Sequence, residues 1–307
     1  MGKKVILAGG SGFLGQALGR RLAAQGWDVV VLTRTPRVGV ALREVHWDAE
    51  TAGAWVAELE GATALVNLAG RSINCVHTRE NRRTILESRC RVVTVLGHGW
   101  ARAKNPPTVW VQCSATGYYG NAGERRCDEA ASPGAEFLAE VCRRWEETFQ
   151  KLDLPGVRRV VLRLGVVLDA QQGALPPLLK LTRRFLGGSA GNGRHYFSWI
   201  HRDDLLEVFR AALTQPELAG VANACAPHPV TNSALMKELR RVLGRPWAPP
   251  APAFAIRLAA GPLLGVDPDL ALQGQRAVPA RLQDAGFRFA HPELAGALRA
   301  LLRPRGK

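Results

Sequence analysis

The chain has 307 residues, 47% hydrophobic and 22% charged, with a formal net charge of +15. That length and apolar content can fill a sizeable core, which excludes a disordered polymer and suits one large α/β domain or two smaller ones. The cationic excess is spread out, with Arg82-Arg83, Arg143-Arg144 and Arg183-Arg184 as isolated pairs and no basic stripe interleaved with aromatics, so nucleic acid is not expected as the main partner.

Apolar runs such as 29–32 and 160–168 are far shorter than the roughly 20 residues of a membrane-spanning helix. The run Val5-Ile6-Leu7-Ala8 comes too early for a secretion signal to precede it. Cys75, Cys90, Cys113, Cys127, Cys142 and Cys225 lie far apart, with no C-x-x-C pair and no histidines at zinc-site spacing. These features predict a soluble cytoplasmic protein with reduced thiols, no metal and no membrane partner.

In chain order, residues 5–8 read as a strand, 16–25 as a helix stopped near Gly26, and 28–33 as a second strand. Residues 64–68 form a further buried run, followed by a helix over about 80–103, a stop at Pro106-Pro107 and a strand over 109–113. Ser132-Pro133 carries a helix-start signal, and Phe137, Leu138, Val141, Trp145 and Phe149 recur at helical spacing behind it. A strand over 159–168, a helix over 203–213 and a strand over 221–225 follow, then a proline-rich connector over 246–252 and helical segments to the end.

Strands alternating with helices predict an α/β fold, a Rossmann doubly wound parallel sheet with a smaller, partly interleaved C-terminal substrate domain. The dinucleotide-binding domain is expected over 1–168, rejoined by about 197–226. The regions 169–196 and 227–307 are assigned to the smaller unit.

Between the first strand and helix stands Gly9-Gly10-Ser11-Gly12-Phe13-Leu14-Gly15, in the context a dinucleotide fingerprint requires. One glycine permits the tight turn, another lets backbone approach a pyrophosphate, and Gly15 allows close helix–sheet packing. The end of the second strand carries Thr33-Arg34 where an NAD site has a carboxylate for the ribose 2′-hydroxyl. Arginine suits a 2′-phosphate, so the residues favour NADP(H).

GGSGFLG, Asn67-Leu68-Ala69-Gly70, and Ser114 ahead of Gly117-Tyr118-Tyr119-Gly120 together resemble the extended short-chain dehydrogenase/reductase superfamily. FLAEVCRRWE from Phe137, LRLGVVL from Leu162, FSWIHRDDL from Phe197 and NACAPHPVTN from Asn223 narrow the resemblance to its atypical branch of epimerase family proteins. The resemblance implies dinucleotide contacts from the glycine turn, Thr33, Arg34, Leu68, Ala69, Gly70, Arg89 and Val167.

Most members of that superfamily relay a proton through Tyr-x-x-x-Lys. Only Tyr118, Tyr119 and Tyr196 exist here, and four residues beyond them stand Ala122, Gly123 and Ile200. On the helix that should carry the pair, Phe137/Val141 or Leu138/Cys142 take its places. Losing a placed acid–base group costs roughly 10²- to 10⁴-fold in rate.

Ser114 and Tyr118 are therefore the candidate catalytic residues, with Tyr119 beside them. His201 reads as a scaffold histidine, and Trp199, Leu175, Pro176 and the 187–193 loop as candidate pocket walls. The sequence thus predicts an NADP(H)-binding oxidoreductase or epimerase-like protein acting on an undetermined small molecule, the alternative being a non-catalytic NADPH-binding sensor or interaction protein.

Overall fold

A computed structural model describes residues 2–302, leaving aside the side chains of residues 262–264. The first half runs β1 (Lys4–Ala8), α1 (Phe13–Ala23), β2 (Asp28–Thr33), β3 (Arg43–His46), β4 (Ala64–Asn67), α2 (Arg79–Arg102) and β5 (Val109–Ala115). Then come β6 (Arg126–Cys127), α3 (Phe137–Gln150), β7 (Arg158–Leu164), β8 (Val166–Leu168) and α4 (Leu175–Arg183). Next are β9 (Tyr196–Phe197), β10 (Trp199–His201), α5 (Arg202–Thr214), β11 (Gly220–Ala224), β12 (Val230–Thr231) and α6 (Asn232–Val242). The described chain closes with α7 (Ala253–Leu264), α8 (Asp269–Leu272), β13 (Arg276–Ala277), α9 (Ala280–Asp284) and α10 (Leu294–Leu302). The last residues of the region assigned above to 227–307, residues 303–307, lie outside the described residues.

Seven strands pair in parallel in the order β11-β7-β5-β4-β1-β2-β3, the Rossmann arrangement. Parallel strands covered by helices are buried on both faces, which is why residues 5–8 of β1 and 64–66 of β4 are apolar throughout. Each fully buried Val, Leu or Ile contributes about 1.5–3 kcal/mol, so this sheet dominates the core. From β1 the chain winds outward through β2 and β3, then returns to β4 on the other side. The order reverses between β1 and β4, and the crevice at their carboxyl ends is where such sheets bind ligands.

Several elements differ from the sequence reading. Helix α3 begins at Phe137 and not at Ser132, because Gly134 N–H is drawn to Tyr118 O (2.9 Å) and Glu136 accepts Asn121 N–H (3.0 Å). The strand expected over 159–168 breaks at Gly165, whose N–H goes to Ala224 O (2.9 Å), and β8 leaves the large sheet to pair with β10. A Cβ on Gly165 would stand 3.0 Å from Ser198 O, so a side chain there would crowd the crossing backbone. Strand β3, absent from the sequence reading, pairs with β2 at the sheet edge.

Trp199 and Leu175 are fully buried in a second core cluster with Leu179, Met236 and Leu298, so they are packing residues and not walls of an open pocket. Among the described residues no helix is long and apolar enough to cross a membrane.

Candidate functional site

β1 delivers the chain to Gly9, which takes φ +72° and donates its N–H to Leu32 O (3.0 Å), while Gly10 N–H bonds Leu7 O (3.1 Å). A Cβ on Gly15 would lie 2.3 Å from Gly10 Cα, so α1 rests on the turn with only hydrogens between them. Gly12 is the opposite case: nothing stands within 4 Å of where its Cβ would be. It is the N-cap of α1, with no side-chain cap bond and no acid in the first turn. The helix therefore offers free N–H groups and the positive end of its dipole, the arrangement that receives a phosphate. Phe13 and Leu14 open the helix, half-buried, with Leu14 packed on the core.

Thr33 Oγ1 donates to Ser11 Oγ (3.0 Å), stitching the end of β2 to the turn. The next residue, Arg34, is exposed and has no acidic partner among the described residues, whereas nearby Arg37 is tied to Glu44.

A second turn closes the other side of the crevice. Leu68 N–H bonds Ala8 O (2.9 Å), Asn67 Oδ1 accepts Ala69 N–H (3.0 Å), and buried Asn67 donates to Gln112 Oε1 (3.0 Å). A Cβ on Gly9 would stand 2.7 Å from Ala69 Cα, and one on Gly70 would stand 3.3 Å from Arg89 Cζ. The glycine turn, the 67–70 turn and Arg89 are thus in succession against one another.

The Arg89 guanidinium donates to Ile85 O (3.0 Å) and lies 5.2 Å from the Trp145 ring. Burial lowers its pKa, and only the thiols of Cys142 and Cys90 oppose that shift. A half-buried cation with no carboxylate beside it among the described residues suits an anionic ligand. Val167 lies on β8, outside the seven-stranded sheet and opposite Ile200.

At the carboxyl end of β5, Ser114 is 3% exposed and donates to Glu146 Oε1 (2.6 Å). Arg163 binds the same carboxylate in bidentate fashion, Nε to Oε1 at 2.9 Å and Nη2 to Oε2 at 2.8 Å. Its Nη1 donates to Tyr119 OH (3.0 Å), which in turn donates to Asn223 Oδ1 (2.7 Å). Desolvation opposes the Arg163 charge, but Glu146 and Tyr119 outweigh it and raise the pKa. Burial pushes the Tyr119 hydroxyl well above the usual phenol range, so it is no source of phenolate.

Tyr118 is half-buried, its ring stacked on the Arg163 guanidinium at 3.4 Å, and its hydroxyl has no hydrogen-bond partner among the described residues. Val141 and Cys142 are buried on α3, with burial pushing the Cys142 thiol up to about 11. Phe137 packs edge-on against His77 at 5.3 Å.

Sequence reasoning missed Glu146, Arg163 and Asn223. A signal existed for Arg163, a charge inside the apolar strand LRL; Glu146 sits beside Trp145 on the core-facing stripe of α3. His201, read as a scaffold residue, caps α5 by accepting Asp203 N–H at Nδ1 (3.1 Å), stacks on His291 (3.8 Å between centroids) and has a buried Nε2 without a partner among the described residues. Burial, followed by His291, lowers its pKa to about 4.

Residues 5–139 match the NAD dependent epimerase/dehydratase family, and residues 251–301 match a domain of unknown function, DUF1731. The chain is 37% identical to the chloroplastic epimerase family protein SDR39U1 homolog of Arabidopsis thaliana, covering 97% of this chain and 86% of the relative. It is 35% identical to the epimerase family protein YfhF of Bacillus subtilis, with 98% of each covered. The chain belongs to the epimerase family. Within this family the human protein SDR39U1 (isoform 2) has been solved with NADPH; it superposes with a TM-score of 0.86 at 31% identity, over 97% of this chain and 98% of that one. The seven-stranded parallel sheet with flanking helices is the Rossmann-like fold shared with that relative.

Proposed function

We propose that this chain binds NADP(H) in the crevice between β1 and β4 and works as an oxidoreductase or epimerase-like protein with an unusual proton route. The observation that carries the cofactor reading is Arg34, an exposed and acid-free cation where an NAD site would have a carboxylate. The human relative solved with NADPH supports it. The N–H groups at the start of α1 would hold the pyrophosphate, Arg34 the 2′-phosphate, and Arg89 a second anionic contact. The bound nicotinamide supplies or accepts a hydride.

The chain's own groups set the limits on proton transfer. Phe137, Leu138 and Val141 carry no exchangeable side-chain proton, the Cys142 thiol is buried, and the Ser114 hydroxyl proton is engaged by Glu146. The Tyr118 hydroxyl has no hydrogen-bond partner among the described residues and can polarise a carbonyl by donating to it. The free thiols suit a reducing compartment such as the cytoplasm.

The test is the mass of the nucleotide released when the purified protein is denatured, followed by NADPH turnover with a panel of carbonyl compounds. NADP(H) together with turnover reduced in Tyr118→Phe supports the proposal, and NAD(H) contradicts it. A second reading, a non-catalytic NADPH-binding sensor, draws on the commitment of Ser114 to Glu146. Released NADP(H) without turnover of any carbonyl favours that reading.

A further inference from the structure

Residues 170–202 and 239–266 contain no aspartate or glutamate and carry nine lysines and arginines, of which Arg202 pairs with Asp169 and Asp203, and Arg241 with Glu238, just outside these segments. These two segments are joined in space. Ala251 N–H bonds Ser189 O (2.8 Å) and Gly191 N–H bonds Ala251 O (2.8 Å). Arg240 donates to Gly187 O, and the Arg245 guanidinium lies 4.9 Å from the Phe185 ring. A Cβ on Gly188 would collide with Pro249 O, so the two backbones touch.

On this acid-free unit stand the most exposed large apolar side chains of its part of the molecule: Trp247 (74%), Phe254 (73%), Leu258 (76%), Leu186 (66%) and Phe185 (54%). Phe254 and Leu258 are four residues apart on α7 and so share one face of that helix. The exposed cations Lys180, Arg183, Arg184 and Arg257 among them have no acidic partner in the described residues.

Aromatic and leucine side chains held out to water among unpaired cations are what an anionic bilayer surface binds: rings and chains enter the headgroup region while arginines meet phosphates. A nucleic-acid surface would use the charge but not Leu186, Phe254 and Leu258. We propose that this unit docks the protein on the surface of membranes containing anionic phospholipid. Docking at an interface needs no membrane span, so the shortness of the apolar runs, on which the expectation of no membrane partner rested, does not oppose it.

The test floats the purified full chain with vesicles of phosphatidylcholine alone or mixed with phosphatidylglycerol, at low and high salt. Binding to the mixed vesicles, little to phosphatidylcholine alone, and loss on raising salt are expected. The surface variant Trp247→Ser/Phe254→Ser/Leu258→Ser and the charge variant Arg183→Glu/Arg184→Glu should each lower the bound fraction about tenfold or more. NADPH affinity and melting temperature serve as controls that both variants fold, and they keep this outcome separate from the fate of the cofactor proposal. No binding to mixed vesicles, equal binding to neutral ones, or undiminished binding by the folded triple variant overturns the proposal. Self-association abolished by the triple variant, without flotation of the wild type, also overturns it and assigns the face to a second copy of the chain.

Discussion

Ser114 Oγ stands 2.6 Å from Glu146 Oε1, and the same oxygen receives Arg163 Nε at 2.9 Å. The serine at the sheet's ligand-binding rim is therefore part of a buried ion-pair network. Removing one member of such a pair strands the other charge. Glu146→Gln is expected to destabilise the fold by about 3–5 kcal/mol. Ser114→Ala, which leaves the bidentate Arg163 contact intact, should cost less, about 1.5–3 kcal/mol for a hydrogen bond to a charged group. Urea denaturation of the two variants checks this, and comparable losses would contradict the network's energetic order.

The two kinds of glycine in the turn separate folding from binding. Gly15→Ala forces a Cβ to 2.3 Å from Gly10 Cα, backbone against backbone, and should lower the melting temperature sharply. Gly12→Ala adds its methyl to open space at φ −77°, a conformation alanine adopts freely. Its stability should stay near wild type while dinucleotide affinity falls at least about tenfold, because the methyl occupies the approach to the helix N-terminus. Thermal melts and nucleotide titrations of the pair give the comparison.

His201 predicts an acid limb. Its folded pKa, lowered to about 4 by burial and by His291, lies below the ordinary value of 6.5, so the unfolded chain takes up the proton first as pH falls. Its contribution is complete above pH 6.5 and is lost progressively between 6.5 and 4, to the extent of about 3 kcal/mol. His201→Asn keeps an N-cap acceptor for Asp203 N–H and removes the titrating ring. Stability measured from pH 7 to 4.5 should fall less steeply in that variant than in the wild type; parallel curves would contradict the assignment.

The dinucleotide crevice was legible because its signals are local. An apolar run, a glycine turn and a helical pattern lie within about 25 residues, and Thr33-Arg34 ends the next strand. What escaped depends on distant partners. Glu146 and Arg163 sit on different elements, and each is tolerated inside only because the other is there. Ser132-Pro133 is a sound cap signal, yet α3 starts at Phe137 because that signal loses to the Gly134 contact with Tyr118. The break at Gly165 follows from the approach of Ser198, more than 30 residues later, which no local pattern announces. Trp199 and Leu175 looked like pocket walls by position but fill a second core that only the packing of α4, α6 and α10 creates.

Arg34 carries the cofactor reading, so the most direct measurement is the affinity of wild-type and Arg34→Ala protein for NADPH and NADH, with Arg89→Met as the companion. The account predicts that wild type prefers NADPH and that Arg34→Ala loses at least about tenfold in NADPH affinity while NADH is little changed. Arg89→Met should weaken both nucleotides alike. Equal losses for the two nucleotides in Arg34→Ala, or a wild-type preference for NADH, would contradict it.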